Sequence, residues 1–282
     1  MPARFVQAGD LCYTLRDKWE ENAGGSVRCM QKKGCFLLCT VLVWALLLCA
    51  CFPAGAEVTV DVLSGSVPFL VNKDHPVAED FVPAGLIPLK GNTDEKLVTL
   101  KYRDLTAVRE AVDALNEMLD AAAADGVKNW KINAAYRSIS EQRRVLENKI
   151  SSTLKDHPGW SRSRARTHAL NTVAEPCCSE HHLGLAIDIT AKGASAFKGT
   201  KQCKWLHAHC WEYGFIIRYQ EGKQAVTGFA AEEWHIRYVG VEHALAMRDQ
   251  DLCLEEYLET LPEEESGARM EIEEITPEDL GL

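Results

Sequence analysis

The chain has 282 residues, 46% hydrophobic and 26% charged, a balance that is ordinary for a globular protein and excludes collagen-like and wholly disordered chains. Residues 261–282 contain eight acidic residues and one arginine, so this tail carries −7 of the net charge of −10. The sequence has no stripe of basic residues of the kind that would indicate nucleic-acid binding. We expect the acidic tail to be a solvated terminus.

An apolar run over residues 35–52 follows two lysines and precedes the small residues Ala54-Gly55-Ala56. This is the pattern of a secretion signal, and the run is also just long enough to span a bilayer. We expect residues 30–56 to be a signal peptide or a membrane anchor, residues 1–29 to be an over-long gene start, and Cys51 to be an alternative lipidation site. Each interpretation exports the rest of the chain, with membrane contact only through this segment.

Beyond this segment lie five of the 11 cysteines: Cys177, Cys178, Cys203, Cys210 and Cys253. Five is an odd number and paired C-x-x-C spacing is missing, so the sequence indicates structural thiols rather than metal ligands. Cys203 and Cys210 fit two buried thiols as well as they fit a disulfide.

Residues 57–102 are rich in Pro, Gly and Asn. We expect them to form an extended lead-in that packs on a single domain over residues 103–260. Apolar residues then recur at helical spacing until Gly126, which predicts a helix over residues 104–124 with one buried face.

A short strand is predicted over residues 130–135, followed by a helix that opens with the capping-box spacing Ser138-Ile139-Ser140-Glu141. Arg137 therefore lies at a strand-to-helix corner. A helix over residues 200–213 and a strand over residues 215–219 come later. Helices and short strands follow each other without a regular βαβ repeat, which favours an α+β fold with a small antiparallel sheet and flanking helices.

Two alternating runs predict strands that each present a metal-binding side chain. In residues 185–190 the apolar positions alternate with Asp188, and in residues 234–239 His235 and Arg237 share one face. Each strand thus offers one candidate ligand from its polar face.

A hydrolytic zinc site uses three nitrogen or oxygen ligands and leaves a fourth position for water. His181, Asp188 and His235 supply two imidazoles and one carboxylate, which leaves the centre enough positive charge to lower the pKa of that water. Glu232, three residues before His235, is the candidate base. A regular strand would put Glu232 and His235 on opposite faces, so we expect a turn or bulge at Glu232-Glu233.

Three other histidines are not expected to bind this metal. His182 would point away from His181 in an extended chain. His207 and His209 are two apart on a predicted helix and cannot face one ion.

The segment S-E-H-H-L-G-L-A-I-D, residues 179–188, matches the motif S-x-H-x-x-G-x-A-x-D, and E-E-W-H, residues 232–235, matches E-x-W-H. On these motifs the chain resembles the VanY-type D-alanyl-D-alanine carboxypeptidases, zinc peptidases that share a metal-site fold with VanX, certain phage endolysins and hedgehog. The similarity covers roughly residues 70–258. Relatives usually carry Gly, Asn and Pro at three positions where this chain differs: Cys177, His209 and Glu233.

The resemblance implies that one Zn²⁺ per chain is bound by three residues: His181, Asp188 and His235. It also implies that Glu232 is the catalytic base. Arg137 and Gln142 resemble the groups that hold the substrate and stabilise the oxyanion. A fixed guanidinium can bind a terminal carboxylate bidentately or stabilise charge on the attacked carbonyl, which supports Arg137 independently. The same cleft is expected to be lined by Ser179 and Trp234.

The implied activity is removal of the terminal D-alanine from peptidoglycan stem peptides by a metal-activated water. The enzyme is expected to be a monomer exported to the cell envelope. The same metal motif allows an L,D-carboxypeptidase acting on tetrapeptide stems or an endopeptidase. A hedgehog-like zinc-binding module without hydrolysis is the alternative from another class, and the presence of Glu232 and Arg137 argues against it because a structural site needs neither.

Overall fold

The computed structural model describes residues 59–63 and 67–262. The predicted gene start, the signal or anchor segment and nearly all of the acidic tail lie outside these residues. Within the described part, no helix is both long enough and apolar enough to cross a membrane.

The central element of the fold is a five-stranded sheet with the strand order β4-β6-β7-β9-β8. Two small two-stranded sheets, β1-β2 and β3-β5, accompany it. The strands are β1 (Thr59–Val60), β2 (Val82–Pro83), β3 (Leu86–Pro88), β4 (Val98–Leu100), β5 (Thr106–Val108), β6 (Trp130–Ala134), β7 (Ala186–Ala191), β8 (Phe215–Tyr219) and β9 (Glu232–Tyr238). Four of these strands come from the segment that the sequence predicts to be an extended lead-in.

Helices flank the sheet. They are α1 (Arg109–Ala124), α2 (Ile139–Asp156), α3 (Arg162–Ala169), α4 (Lys201–His209), α5 (Gln224–Thr227), α6 (Val241–Gln250) and α7 (Leu254–Thr260), with 3₁₀ helices at Glu180–Leu183 and Cys210–Tyr213. The predicted α+β class is confirmed. Two pairs are parallel, β1 with β2 and, within the five-stranded sheet, β4 with β6. In the second pair α1 lies between the strands in the chain and returns it to the same end of the sheet.

Local sequence signals account for most element boundaries. The capping box at Ser138 is formed, with the Glu141 amide donating to the Ser138 hydroxyl and the Glu141 carboxylate accepting from the Ser138 amide. The predicted start of the first helix at residue 104 is wrong, since residues 106–108 pair with β3 and the helix begins at Arg109. The pairing with β3 is a long-range contact that helical periodicity does not reveal.

The main core lies between the sheet and α1. The buried face of α1 includes Leu115, Met118 and Leu119, and it shares one cluster with Ile187 and Ile189 of β7. Because successive side chains of a strand alternate, this burial turns Asp188 to the opposite face. The core thereby fixes the direction of a candidate metal ligand.

Gly184 joins the 3₁₀ helix Glu180–Leu183 to β7. Its φ is +66°, and a Cβ built there would lie 2.8 Å from Leu86 Cδ2, so a larger residue would be both strained and crowded. Its carbonyl accepts a hydrogen bond from the Val108 amide at 2.9 Å. This tight connection sets the distance between His181 and the strand that carries Asp188.

All five cysteines beyond the N-terminal segment are free thiols, and four of them are buried. Cys203 and Cys210 therefore do not form the alternative disulfide. Cys177 has a φ of +68°, a left-handed conformation that favours glycine, the residue that relatives usually carry there.

Candidate metal centre

Asp188 and His235 are direct neighbours across the antiparallel pair of β7 and β9. His235 Nδ1 lies 3.0 Å from Asp188 Oδ1. His181 enters from the 3₁₀ helix, with its Nε2 3.5 Å from Asp188 Oδ2. One ligand atom from each of the three residues lies within 4.8 Å of the others, and within the described ranges this is the one such group of three His, Cys, Asp or Glu side chains. Two imidazoles and one carboxylate fit a divalent transition metal with an open position.

A backbone acceptor sets the tautomer of His181. Its Nδ1 lies 2.7 Å from the carbonyl oxygen of Ala135, which can only accept, so Nδ1 carries the proton and Nε2 is left with a free lone pair. Burial, followed by the charge of Arg137, lowers the pKa of His181 to about 4. The imidazole is therefore neutral near pH 7, the form that binds a metal.

Asp188 and His235 form a buried charged pair. Burial opposes the charge on each, but the hydrogen bond to Asp188 and the negative charge of the Glu180 carboxylate 3.7 Å away raise the pKa of His235 to about 9. His181 and His235 hold the pKa of Asp188 well below its usual range. A proton on His235 thus occupies the position that a cation would take, and metal binding would release it.

Strand β9, which begins at Glu232 and contains His235, is irregular. Ile217 of β8 pairs with Ile236, whereas Tyr219 pairs with Glu232, so two residues of β8 correspond to four of β9. An irregularity was expected at Glu232-Glu233, and the register places one between Glu232 and Ile236.

The Glu232 carboxyl interacts electrostatically with two of the predicted ligands, His235 and Asp188. Burial raises its pKa to about 7, with His235 and Arg137 acting to lower it and Asp188 acting to raise it. Glu232 is 8% exposed. A carboxyl group with a pKa near neutrality can both accept and return a proton, as general acid–base catalysis requires.

Arg137 is held at the strand-to-helix corner by hydrogen bonds at both ends. Its amide donates to His181 O at 3.0 Å, and its Nη1 donates to Gln142 Oε1 at 2.5 Å. Gln142 is 1% exposed and its Nε2 donates to Ala174 O, so both polar atoms of its amide are engaged. Gln142 therefore contacts the Arg137 guanidinium directly and fixes its position.

The remaining sequence-predicted residues have mixed positions. Ser179 is 5% exposed and caps the 3₁₀ helix by accepting from the His181 amide. Trp234 is half-buried and packs against the main core. His207 is exposed and His209 is half-buried on α4, and both lie outside the group of three candidate ligands.

His182 lies outside the group of three candidate ligands, and the extended backbone expected around it is wrong. It lies in a 3₁₀ helix, and its Nδ1 hydrogen-bonds to the carbonyl oxygen of Arg137 at 2.7 Å. Together with the Arg137 amide bond to His181, this contact ties the corner to the candidate ligand helix.

A buried ion network behind His235 was not predicted. Arg218 donates from Nε to Glu180 at 2.7 Å and from its two Nη atoms to Glu255 of α7 at 2.8 and 2.6 Å. Arg237 Nη1 lies 3.3 Å from Glu180 Oε1. The side chains of Glu180, Arg218 and Arg237 are at most 1% exposed. A sequence signal was available, because Arg218 interrupts the apolar run Phe215–Tyr219 and a charge in such a run needs a buried partner.

Comparisons with known proteins agree with this geometry. The family model "VanY: D-alanyl-D-alanine carboxypeptidase" matches residues 105–241. A D-alanyl-D-alanine carboxypeptidase of Enterococcus faecalis is 40% identical over 191 residues, which cover 68% of this chain and 65%, just under two thirds, of that protein.

Two solved structures have the same fold. The LD-carboxypeptidase LdcB is 33% identical with a TM-score of 0.57, covering 68% of this chain and 86% of its own. A vancomycin-resistance D,D-pentapeptidase VanY from the VanB-type cassette, in complex with Zn(II), is 34% identical with a TM-score of 0.54. That match covers 67% of this chain and 97% of the VanY chain.

Proposed function

Because the chain belongs to the VanY family of D-alanyl-D-alanine carboxypeptidases, we propose that it is a zinc-dependent D,D-carboxypeptidase that removes the terminal D-alanine from peptidoglycan stem peptides. The observation that carries the proposal is the cluster of three donors within 4.8 Å, with a buried carboxyl of near-neutral pKa and a guanidinium beside it. A purely structural metal site requires neither of these two additional groups.

The proposed ligands of one zinc ion are His181, Asp188 and His235. Zinc bound there would polarise the scissile carbonyl and lower the pKa of a water molecule. Glu232 accepts the proton of the attacking water and delivers it to the leaving amine, and its pKa of about 7 suits both steps.

Arg137 supplies the fixed positive charge of the cleft. Burial lowers its pKa and Asp188 acts against that shift, but an arginine stays charged throughout the physiological range. Its guanidinium either binds the substrate's terminal carboxylate or stabilises the oxyanion. Gln142 positions it, while Ser179 and Trp234 are proposed to form the wall of the cleft.

L,D-cleavage of tetrapeptide stems is the second candidate, favoured by the likeness to LdcB. We expect the chain to act outside the cytoplasmic membrane as a monomer, in line with its cell-wall substrate and with the apolar segment before residue 57. Secretion and anchoring are both compatible with this proposal.

Defined stem peptides test the proposed reaction. The zinc-loaded protein is incubated with a pentapeptide ending in D-alanyl-D-alanine and, separately, with the tetrapeptide, and the products are identified by mass spectrometry. We expect the pentapeptide to lose one alanine, and the His235→Ala variant to release none. Shortening of the tetrapeptide alone would favour L,D-cleavage, and no cleavage of either would favour a binding module.

Replacing Arg137 with lysine should lower kcat/KM by about 10²-fold or more, since a lysine keeps the charge but loses the planar fork. Steady-state kinetics on the pentapeptide distinguish the two roles: a rise in KM indicates carboxylate binding, and a fall in kcat indicates oxyanion stabilisation. Arg143→Lys, an exposed change on the helix that follows this corner, is the matched control. Unaltered kinetics in Arg137→Lys would remove Arg137 from the mechanism.

A further inference from the structure

The side of His235 that faces away from the candidate metal position is occupied by Glu180. His235 Nδ1 faces Asp188 at 3.0 Å, whereas its Nε2 lies 3.7 Å from Glu180 Oε2. His235 Nε2 and Glu180 Oε2 are both buried, and neither atom has a hydrogen-bond partner among the residues that the structure describes. A buried donor and a buried acceptor that face each other across such a gap are natural partners, because leaving either unpaired is unfavourable.

The gap needs only a small adjustment to close. A hydrogen bond between nitrogen and a carboxylate oxygen has a length of about 2.7–3.0 Å. A shift of about 0.7 Å would therefore bring His235 Nε2 and Glu180 Oε2 into contact.

Metal binding defines which atom donates. A cation bound through Nδ1 of His235 requires the ring proton to be on Nε2, and a carboxylate is the acceptor that best stabilises that tautomer. His181 has the complementary arrangement, with Nδ1 held by the Ala135 carbonyl and Nε2 directed to Asp188. In each imidazole the ring nitrogen that does not bind the metal would thus donate to one acceptor.

The orientation of Glu180 is itself fixed. Its Oε1 accepts from Arg218 Nε at 2.7 Å and lies 3.3 Å from Arg237 Nη1, which leaves Oε2 for His235. Arg218 is held in turn by two hydrogen bonds to Glu255 on α7. The two arginines and two glutamates balance in charge, so a full carboxylate can be kept in a buried position.

We propose that Glu180 is a positioning residue that fixes the orientation and the tautomer of His235 and so strengthens zinc binding. This inference rests on the proposed role of His235 as a ligand. Glu180 is the neighbour of His181 in the chain, but its proposed function is to position His235, the other histidine of the site.

Zinc affinity of the full chain tests the inference without reference to turnover. The dissociation constant is measured by competition with a fluorescent chelator for the wild type, Glu180→Gln and Glu255→Gln. Glutamine at position 180 can present an amide donor to His235 Nε2 and favour the wrong tautomer, so we expect affinity about 10–100-fold weaker. Glu255→Gln removes one charge from the same ion network without reaching His235, and we expect its affinity to stay within about threefold of the wild type.

Chemical unfolding of the zinc-free variants separates loss of fold from loss of positioning. Equal affinities for Glu180→Gln and the wild type, or equal losses in both variants, would overturn the proposal. If His235→Ala binds zinc as tightly as the wild type, the proposed metal site itself is wrong, and this inference fails with it.

A second measurement on the wild type keeps the proposal testable if Glu180→Gln does not fold. A long-range ¹H–¹⁵N spectrum of the imidazole rings in the zinc-loaded protein reports which nitrogen of His235 carries a proton. We expect a proton on Nε2 and metal-shifted resonance at Nδ1. A protonated Nδ1 with Nε2 bound to zinc would contradict the role of Glu180.

Discussion

Replacing Glu232 with glutamine should lower kcat for the pentapeptide stem by about 10²–10⁴-fold, the usual contribution of a general base. Glutamine has nearly the same shape but cannot accept the proton of the attacking water. Since Glu232 is not one of the three proposed ligands, zinc content should be unchanged. The measurement is steady-state D-alanine release together with metal analysis of the same sample.

The adjacent carboxylate provides the control for Glu232. Glu233 lies next to it in the bulge, but its side chain pairs with Lys198 at 3.2 Å and is 17% exposed. Glu233→Gln should therefore change kcat by no more than about twofold. Comparable losses in the two variants, or full turnover by Glu232→Gln, would contradict the assignment of the base.

The pH profile gives an independent reading of the same residue. Glu232 accepts a proton only when it is ionised, so kcat/KM should be high above its pKa and fall as the pH drops through it. Burial raises this pKa to about 7, and the charge of bound zinc would lower it again, so we expect the acid limb at or below about pH 7. The limb should be missing from the residual activity of Glu232→Gln.

Replacing Arg218 with methionine should lower the free energy of unfolding by about 3–5 kcal/mol, because the change breaks a buried ion network and leaves one partner uncompensated. Arg218 is 1% exposed and is the link between Glu180 and Glu255. Urea unfolding of the zinc-free protein measures the loss without a contribution from metal binding.

Arg143→Met is the matched control for this stability change. Arg143 is 55% exposed and forms one ion pair, with Glu79 at 3.2 Å. Such surface pairs contribute about 0–1 kcal/mol, so this variant should be nearly as stable as the wild type. A similar small effect of Arg218→Met would show that the network does not stabilise the fold.

Acid should weaken the same network. Burial alone would raise the pKa of Glu180, but Arg218 and Arg237 hold it below the ordinary value of 4.5. A carboxyl with a depressed pKa in the folded state stabilises the fold above its unfolded pKa, and this contribution is lost as the pH falls below that value. Stability of the wild type should therefore decrease more steeply below about pH 4.5 than that of Arg218→Met.

Short-range patterns in the sequence predicted the parts of the site that local structure decides. The alternation of apolar residues in residues 185–190 predicted that Asp188 faces away from the core. The capping box predicted where the helix after Arg137 begins. The motif spacing added His181 and His235, which the structure brings together. These features need only a few consecutive residues to be specified.

The features that the sequence did not predict depend on contacts between distant segments. The parallel pairing of β4 with β6 and the strand at residues 106–108 come from such contacts. So does the ion network, which joins Glu180 to Glu255, 75 residues later in the chain. Periodicity shows that Arg218 lies in an apolar strand, but it does not identify the acid that neutralises it.

The bulge in β9 has a consequence for how this part of the chain tolerates insertions and deletions. Between Glu232 and Ile236 the backbone of β9 contains two residues more than the facing segment of β8. Glu233 points to Lys198 at the surface, and proline is also accommodated at bulges, so the residue at position 233 is free to vary. Removing or adding one residue there would rotate the acid away from the metal side of the sheet. Length, more than residue identity, is therefore the constraint on this segment.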